Sequence, residues 1–284
     1  MSPRDLLDRW LAAQLPAEAK AWLGQAAAQL QAAGTDKDLY LAVSLVTRKL
    51  GKADLRLSEG DLREAQAARP GWDPRGWSVD QAARVRLVLA LQEDVQRLAR
   101  CLEQLFITAD VGEQAAFYNG LPLYPEPKRY VDRATEGLRT NMKNVFESIA
   151  HRNPYPSEQF AEAAWNQMVL KALFVGSKLW PIVGLDARTN PSLARMLRDY
   201  AHERWAASRP VSPELWRCVG PQATGAALQD LEKVLKQGTE PERKAAALAL
   251  RASPDPSAAA VLQRDPGLAK LVAEGKLSWE GIAG

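Results

Sequence analysis

Apolar residues along the chain recur at spacings of three and four, and no segment alternates strictly between apolar and polar positions as a half-buried strand would. The pattern predicts helices from end to end. Ser2-Pro3 opens a first helix carrying Leu6, Leu7, Trp10 and Leu11. Pro16 starts a second, through Trp22, Ala26 and Leu30 to near Gly34, and Asp36 caps a third with Leu39, Val43, Val46 and Leu50 on one face before Gly51. These starts and stops follow the usual order of Ser or Asp at the cap, Pro in the first turn and Gly after the end. A short helix begins near Ser58, and after the loop from Arg69 to Trp77 a capping box of Ser78 and Gln81 opens the longest one, which runs to about Phe106. Its residues Val88, Leu91, Val95, Leu98, Leu102 and Leu105 stand at heptad spacing. That seam leaves a homodimer possible, but a run this short does not require a coiled coil. A central helix packed along its own domain is the preferred expectation.

Beyond a proline-rich loop at Pro122, Pro125 and Pro127, one helix is expected from about Arg129 to Ala150, and another from a cap at Ser157 to Gly176. Asn190-Pro191 starts a helix reaching Trp205, and Ser212-Pro213 opens a shorter one. The tail changes texture. Thr239 and Glu242 form another capping box ahead of an alanine-rich run, and Ser253-Pro254-Asp255-Pro256 turns into Ala258–Leu262 before Pro266 opens a last helix. Alanine-rich helix pairs joined at Asp-Pro turns resemble HEAT-type repeats, although one pair does not make an array. The expected fold is all-α, a multi-helix and partly HEAT-like, solenoid-type bundle, with one helical domain over 1–221 and a helical-repeat-like extension over 222–284 packed on it.

Composition narrows the classes of function. The 284 residues include nine Trp and carry 37 Lys+Arg against 34 Asp+Glu, a net charge of +3 that gives no broad field for nucleic acid. No apolar run approaches the ~18 residues of a membrane span, and the N-terminus lacks the continuous apolar core of a signal peptide. Cys101 and Cys218 stand alone and read as reduced thiols, which suits a cytoplasmic protein. Neither a glycine-rich phosphate loop nor a nucleophile elbow is present, so no cofactor and no catalytic residue is assigned. With only His151 and His202 to offer imidazole, no metal site is expected.

Unusual side chains nevertheless crowd the stretch from Asn141 to Trp205. Asn141, Tyr155, Trp165, Asn166, His202 and Arg204 are the candidate ligand-binding residues, a polar and aromatic set suited to a small molecule. Position 204 continues the apolar stripe of Leu193, Met196, Leu197, Tyr200 and Ala201, so Arg204 is expected to be buried, with Asp186 as its partner. The competing reading has the same residues tying loops to helices. Trp72 and Trp77 likewise either clamp their loop to the core or form a partner surface. A rival enzyme reading places His151, His202, Glu203 and Arg204 in one pocket, the two imidazoles serving as acid and base.

Long strings in the chain resemble the EboA family. They include Arg69-Pro70-Gly71-Trp72-Asp73-Pro74, Ser78-Val79-Asp80-Gln81-Ala82-Ala83-Arg84, Gly120-Leu121-Pro122-Leu123, Glu136-Gly137-Leu138-Arg139-Thr140-Asn141-Met142 and Asn153-Pro154-Tyr155-Pro156. The most specific are Ala164-Trp165-Asn166-Gln167-Met168-Val169-Leu170-Lys171-Ala172, then Ala194-Arg195-Met196-Leu197 and Tyr200-Ala201-His202-Glu203-Arg204-Trp205-Ala206. The resemblance covers roughly Met1 to Pro221 and implies a role in metabolite traffic, since ebo gene clusters are linked to moving a secondary-metabolite precursor from cytoplasm to periplasm. It supplies no catalytic residues. The reading that follows is a non-enzymatic adaptor or carrier that binds a metabolite or another ebo-encoded protein. A helical-repeat scaffold for protein partners stays open beside it.

Overall fold

In the computed structural model, which describes residues 1–32 and 34–283, all regular structure among those residues is helical apart from one isolated antiparallel bridge between Asp54 and Ser78. The chain folds as two compact units, Met1–Phe160 and Ala161–Gly284.

The first unit holds α1 (Pro3–Gln14), α2 (Ala17–Ala32), α3 (Asp36–Leu50), α4 (Glu59–Ala68), α5 (Val79–Val88), α6 (Val95–Thr108), α7 (Val111–Asn119), α8 (Val131–Gly137), α9 (Lys143–Ala150) and α10 (Tyr155–Gln159). Reciprocal capping boxes start α1 at Ser2, α4 at Ser58 and α7 at Asp110, satisfying amides that a helix start leaves without partners. The cap of α3 is Thr35 with Asp38, rather than Asp36, which instead accepts from the Arg97 guanidinium at 2.8 Å.

Helix α5 is the centre of this unit. It packs on α1, α2, α3 and α7, and Gln81 alone among its residues escapes burial. Its charges are therefore paired: Arg84 reaches Asp80 at 2.7 Å, Thr47 Oγ1 at 2.9 Å and Glu113 at 3.6 Å, while Arg86 meets Asp8 at 2.6 Å. A buried guanidinium without such partners would cost several kcal/mol.

The long helix expected from Ser78 to Phe106 is broken. Leu89–Leu91 tightens into a 3-10 turn, and Asp94 accepts from the Arg97 amide at 3.0 Å, which caps a new helix, α6. The heptad seam is spent inside the unit, with Leu98, Leu102 and Leu105 all buried, so it offers no ready face for a coiled-coil partner. The segment from Arg129 to Ala150 also divides, because Gly137 ends α8 against the Tyr118 ring, where a larger residue would overlap it. The helix expected from Ser157 to Gly176 is likewise two, α10 and α11 (Glu162–Phe174), parted by extended backbone at Phe160 and Ala161.

The second unit continues from α11 with α12 (Pro191–Ala206), α13 (Leu215–Val219), α14 (Ala226–Gln237), α15 (Glu240–Ala252), α16 (Ala258–Leu262), α17 (Pro266–Ala273) and α18 (Trp279–Ala283). Its hub is α15, which touches α13, α14, α16, α17 and α18. Ala245, Ala246, Ala247 and Ala249 are fully buried there, and their small size permits close approach: a Cβ added at Gly220 would stand 2.7 Å from Ala249 Cα. Residue 221, where the sequence changes texture, falls inside this unit. No helix among the described residues is long and apolar enough to cross a membrane.

Candidate functional site

The loop between α4 and α5 is held by its own tryptophans. Gln66 accepts from the Gly71 amide and donates to the Trp72 carbonyl, each at 2.9 Å, and Gly71 turns the chain at φ 81°. Trp72 then packs between Trp10, tilted against it at 39°, and Trp77, edge-on at 61°, with ring centroids 5.6 and 6.0 Å away. Trp72 and Trp77 are 1% and 6% exposed, both rings packed into the first unit. Their amphipathic rings gain more from the core than a turn could give them in water.

A second fixed turn lies after α9. The buried Asn153 donates to the Tyr118 carbonyl at 3.0 Å and the Ser148 carbonyl at 3.1 Å, and accepts from the Tyr155 amide at 3.0 Å. That grip holds Arg152 in the left-handed region at φ 50° and joins the two turns, since the Asp73 amide donates to the Arg152 carbonyl at 3.3 Å.

Between these turns the first unit opens into a cleft of about 330 Å³. Asp73, Arg75, Gly76 and Trp77 of the first turn form one wall, Gln81 of α5 with Ala115 and Asn119 of α7 the floor, and Asn144, Glu147, Ser148, His151 and Arg152 the other wall. The charges are mutually compensated: Asp73 faces Arg152 at 3.3 Å and Arg75 at 3.9 Å, Arg75 also reaches Glu59 at 3.7 Å, and Glu147 pairs with Lys143 at 3.7 Å. The carboxamides of Asn119 and Asn144 have no hydrogen-bond partner among the described residues, and Gln81 uses only its oxygen, which accepts from the Ser78 amide at 3.0 Å. A volume at the lower end of ligand pockets, walled by unspent polar groups, suits a small molecule.

The candidates from the sequence are distributed otherwise. His151 lines the cleft. Asn141 stands exposed in the turn before α9, and Tyr155 is buried, donating to the Pro127 carbonyl at 2.5 Å. In the second unit Trp165 is buried beneath the Arg188 guanidinium, 4.6 Å from its ring centre, and its indole N–H has no partner among the described residues. Asn166 exchanges amide hydrogen bonds with Asn190 at 3.2 and 2.9 Å, and Asn190 in turn caps α12 by accepting from the Leu193 amide at 2.8 Å.

His202 is exposed, bound to Asp230 at 2.9 Å and stacked on Trp205 at 5.3 Å, and Glu203 is exposed beside it. Arg204 is not the buried charge expected from the stripe. The buried face of α12 runs through Leu193, Ala194, Leu197 and Ala201, which leaves position 204 half-exposed at its edge in the last turn. Arg204 instead donates to the Pro210 carbonyl at 3.0 Å, and the bidentate partner of Asp186 is Arg217, at 2.6 and 2.8 Å.

The cleft residues Asp73, Gln81, Asn119 and Asn144 are not among the candidates from the sequence. Asp73 and Gln81 sit within strings that mark the family resemblance, which is the one signal the sequence offers for them. Asn144 falls in the crowded stretch that ends at Trp205 but carries no further mark there, and Asn119, a single polar residue at the end of α7, gives none. Neither thiol is a ready nucleophile, because burial pushes Cys101 up and Cys218 up to about 12. Among the described residues no three His, Cys, Asp or Glu side chains gather where a metal ion would need them.

Comparison with curated proteins and with solved structures finds no match. The family model described as metabolite traffic protein EboA matches residues 3–220, and with that span, more than three quarters of its length, the chain belongs to the EboA family.

Proposed function

We propose that this EboA protein is a non-enzymatic helper in the cytoplasmic stage of metabolite traffic, binding a small precursor in the cleft of the first unit before export. The observation that carries the reading is the cleft itself, whose wall holds unspent carboxamides beside compensated charges rather than an activated nucleophile. The second unit, with its alanine-rich α15 packed on α13, suits a HEAT-like docking element for an ebo-encoded partner. On this reading residues 222–284 extend the family domain of 1–221 and brace it.

The test is gentle purification of the protein from its own source, followed by denaturation and analysis of released small molecules. A stoichiometric organic compound supports the carrier, and its absence overturns it. Co-expression with each ebo-encoded protein tests the adaptor role, which fails if none is retained.

The position of His151 in the cleft beside Glu147 and Asp73 favours one alternative, an enzyme working by acid–base catalysis at that imidazole. In that case the released compound would return chemically altered after incubation with fresh protein.

A further inference from the structure

Resting on the reading of the cleft as a ligand site, we propose that its ligand is a neutral polyhydroxylated ring of about monosaccharide size. Elimination comes first, then fit. A phosphorylated or carboxylated metabolite needs uncompensated cations, but Arg75 and Arg152 both face Asp73, and Glu147 adds a further negative charge to the wall. Two arginines against two carboxylates leave the lining with no net charge, so an anion would lose its hydration without an ionic partner to replace it.

An apolar ligand fits no better. Trp77 and Ala115 are the apolar side chains of the lining, set among eight polar or charged ones and Gly76 and His151. The unspent groups are the Asn119 and Asn144 carboxamides and the Gln81 amide N–H₂, each neutral. A carboxamide donates and accepts in one plane, the complement of adjacent hydroxyls that also do both. Trp77 lines the cleft but is 6% exposed, so the apolar surface on offer is small and the recognition is polar. At about 330 Å³ the cleft is at the small end of ligand sites, which suits one ring rather than a chain of them.

The test is saturation-transfer NMR and calorimetry on the full chain, with D-glucose, D-galactose and myo-inositol as neutral ring probes and glucose 6-phosphate as the charged one. At least one neutral probe should bind, and Asn119→Ala and Asn144→Ala should each weaken it about two- to tenfold, as loss of one neutral hydrogen bond would. Asn144 is exposed, so its variant carries no risk to folding, and circular dichroism checks both. Glucose 6-phosphate should bind no more tightly than glucose. Tenfold tighter binding of the phosphate, lost in Asn144→Ala, would overturn the polyol assignment while leaving the cleft a ligand site. Polyol binding unchanged in both variants would overturn the assignment of these groups. Failure of all neutral probes would overturn the proposal even where a carried compound is recovered, and that recovery separates this failure from failure of the carrier reading.

Discussion

Gly120 gives a quantitative test of the packing around the cleft floor. It follows α7 at φ −77°, a conformation open to any residue, so its side chain rather than its backbone freedom is what matters. A Cβ there would overlap the Tyr124 hydroxyl, stand 2.5 Å from Tyr124 Cζ and approach Val85 Cγ2 to 3.1 Å. The Tyr124 ring is 3% exposed and packs edge-on to Tyr130 at 6.0 Å, so it cannot swing aside.

Gly120→Ala gains about 0.4–1 kcal/mol by restricting the unfolded chain, while overpacking of a closed core costs about 1–3 kcal/mol. The net expectation is a loss of about 1–2 kcal/mol, or about 2–8 °C in Tm for a protein of this size. Tyr124→Phe removes a buried hydroxyl that has no partner among the described residues, so alone it should be neutral or stabilising by about 1 kcal/mol. In the double variant the hydroxyl overlap is gone and the ring contact remains, which predicts partial rescue of about 1 kcal/mol. Urea unfolding followed by tryptophan fluorescence measures all four corners of the cycle. Stabilisation by Gly120→Ala, or strict additivity of the pair, would refute the reasoning.

Other expectations follow from the same contacts. Burial pushes Tyr118 and Tyr130 up to about 12 and Tyr124 well above its ordinary value, so the folded state holds these protons more tightly than the unfolded chain. The stability this represents is complete below pH 10 and is lost as pH rises towards 12, at about 1.4 kcal/mol per group and pH unit; unfolding curves taken between pH 9 and 12 check it, and a flat profile would contradict it. Asn166→Leu removes the paired amide bonds to Asn190, which keeps the Arg188 carbonyl and the Leu193 amide, and should cost about 1 kcal/mol while leaving any carried compound in place. Asp230→Asn removes the carboxylate shared by Arg198 and His202, both on α12, and should raise hydrogen exchange in α14 without unfolding the first unit; unchanged exchange there would count against the bridge.

The helical class was legible because the apolar period, the Ser and Thr caps and the Pro starts all pointed one way. Caps at Ser2, Ser58, Ser78, Asn190 and Thr239 read directly, since they act over three residues of the chain. Helix interruptions did not. The break before Asp94 follows a run of residues that favour helix, and the one at Gly137 answers to Tyr118, a residue on another helix. Arg204 was misplaced because a stripe of mixed apolar residues does not fix which edge of a helix faces inward, and a last-turn arginine can reach a loop carbonyl instead. The cleft was hidden for a related reason. Its lining comes from two turns and three helices distant in sequence, and what singles out Asn119 and Asn144 is the hydrogen bonds they do not make, which only packing reveals.

A small molecule held between the tryptophan-clamped turn and the Asn153-held turn should be visible by native mass spectrometry of the gently purified full chain, compared with an Asn144→Trp variant that fills the cleft from an exposed helical position. The expected result is an added mass of a few hundred daltons on the wild-type protein and its loss from the variant. Bare wild-type protein, or the same added mass on both, would contradict it.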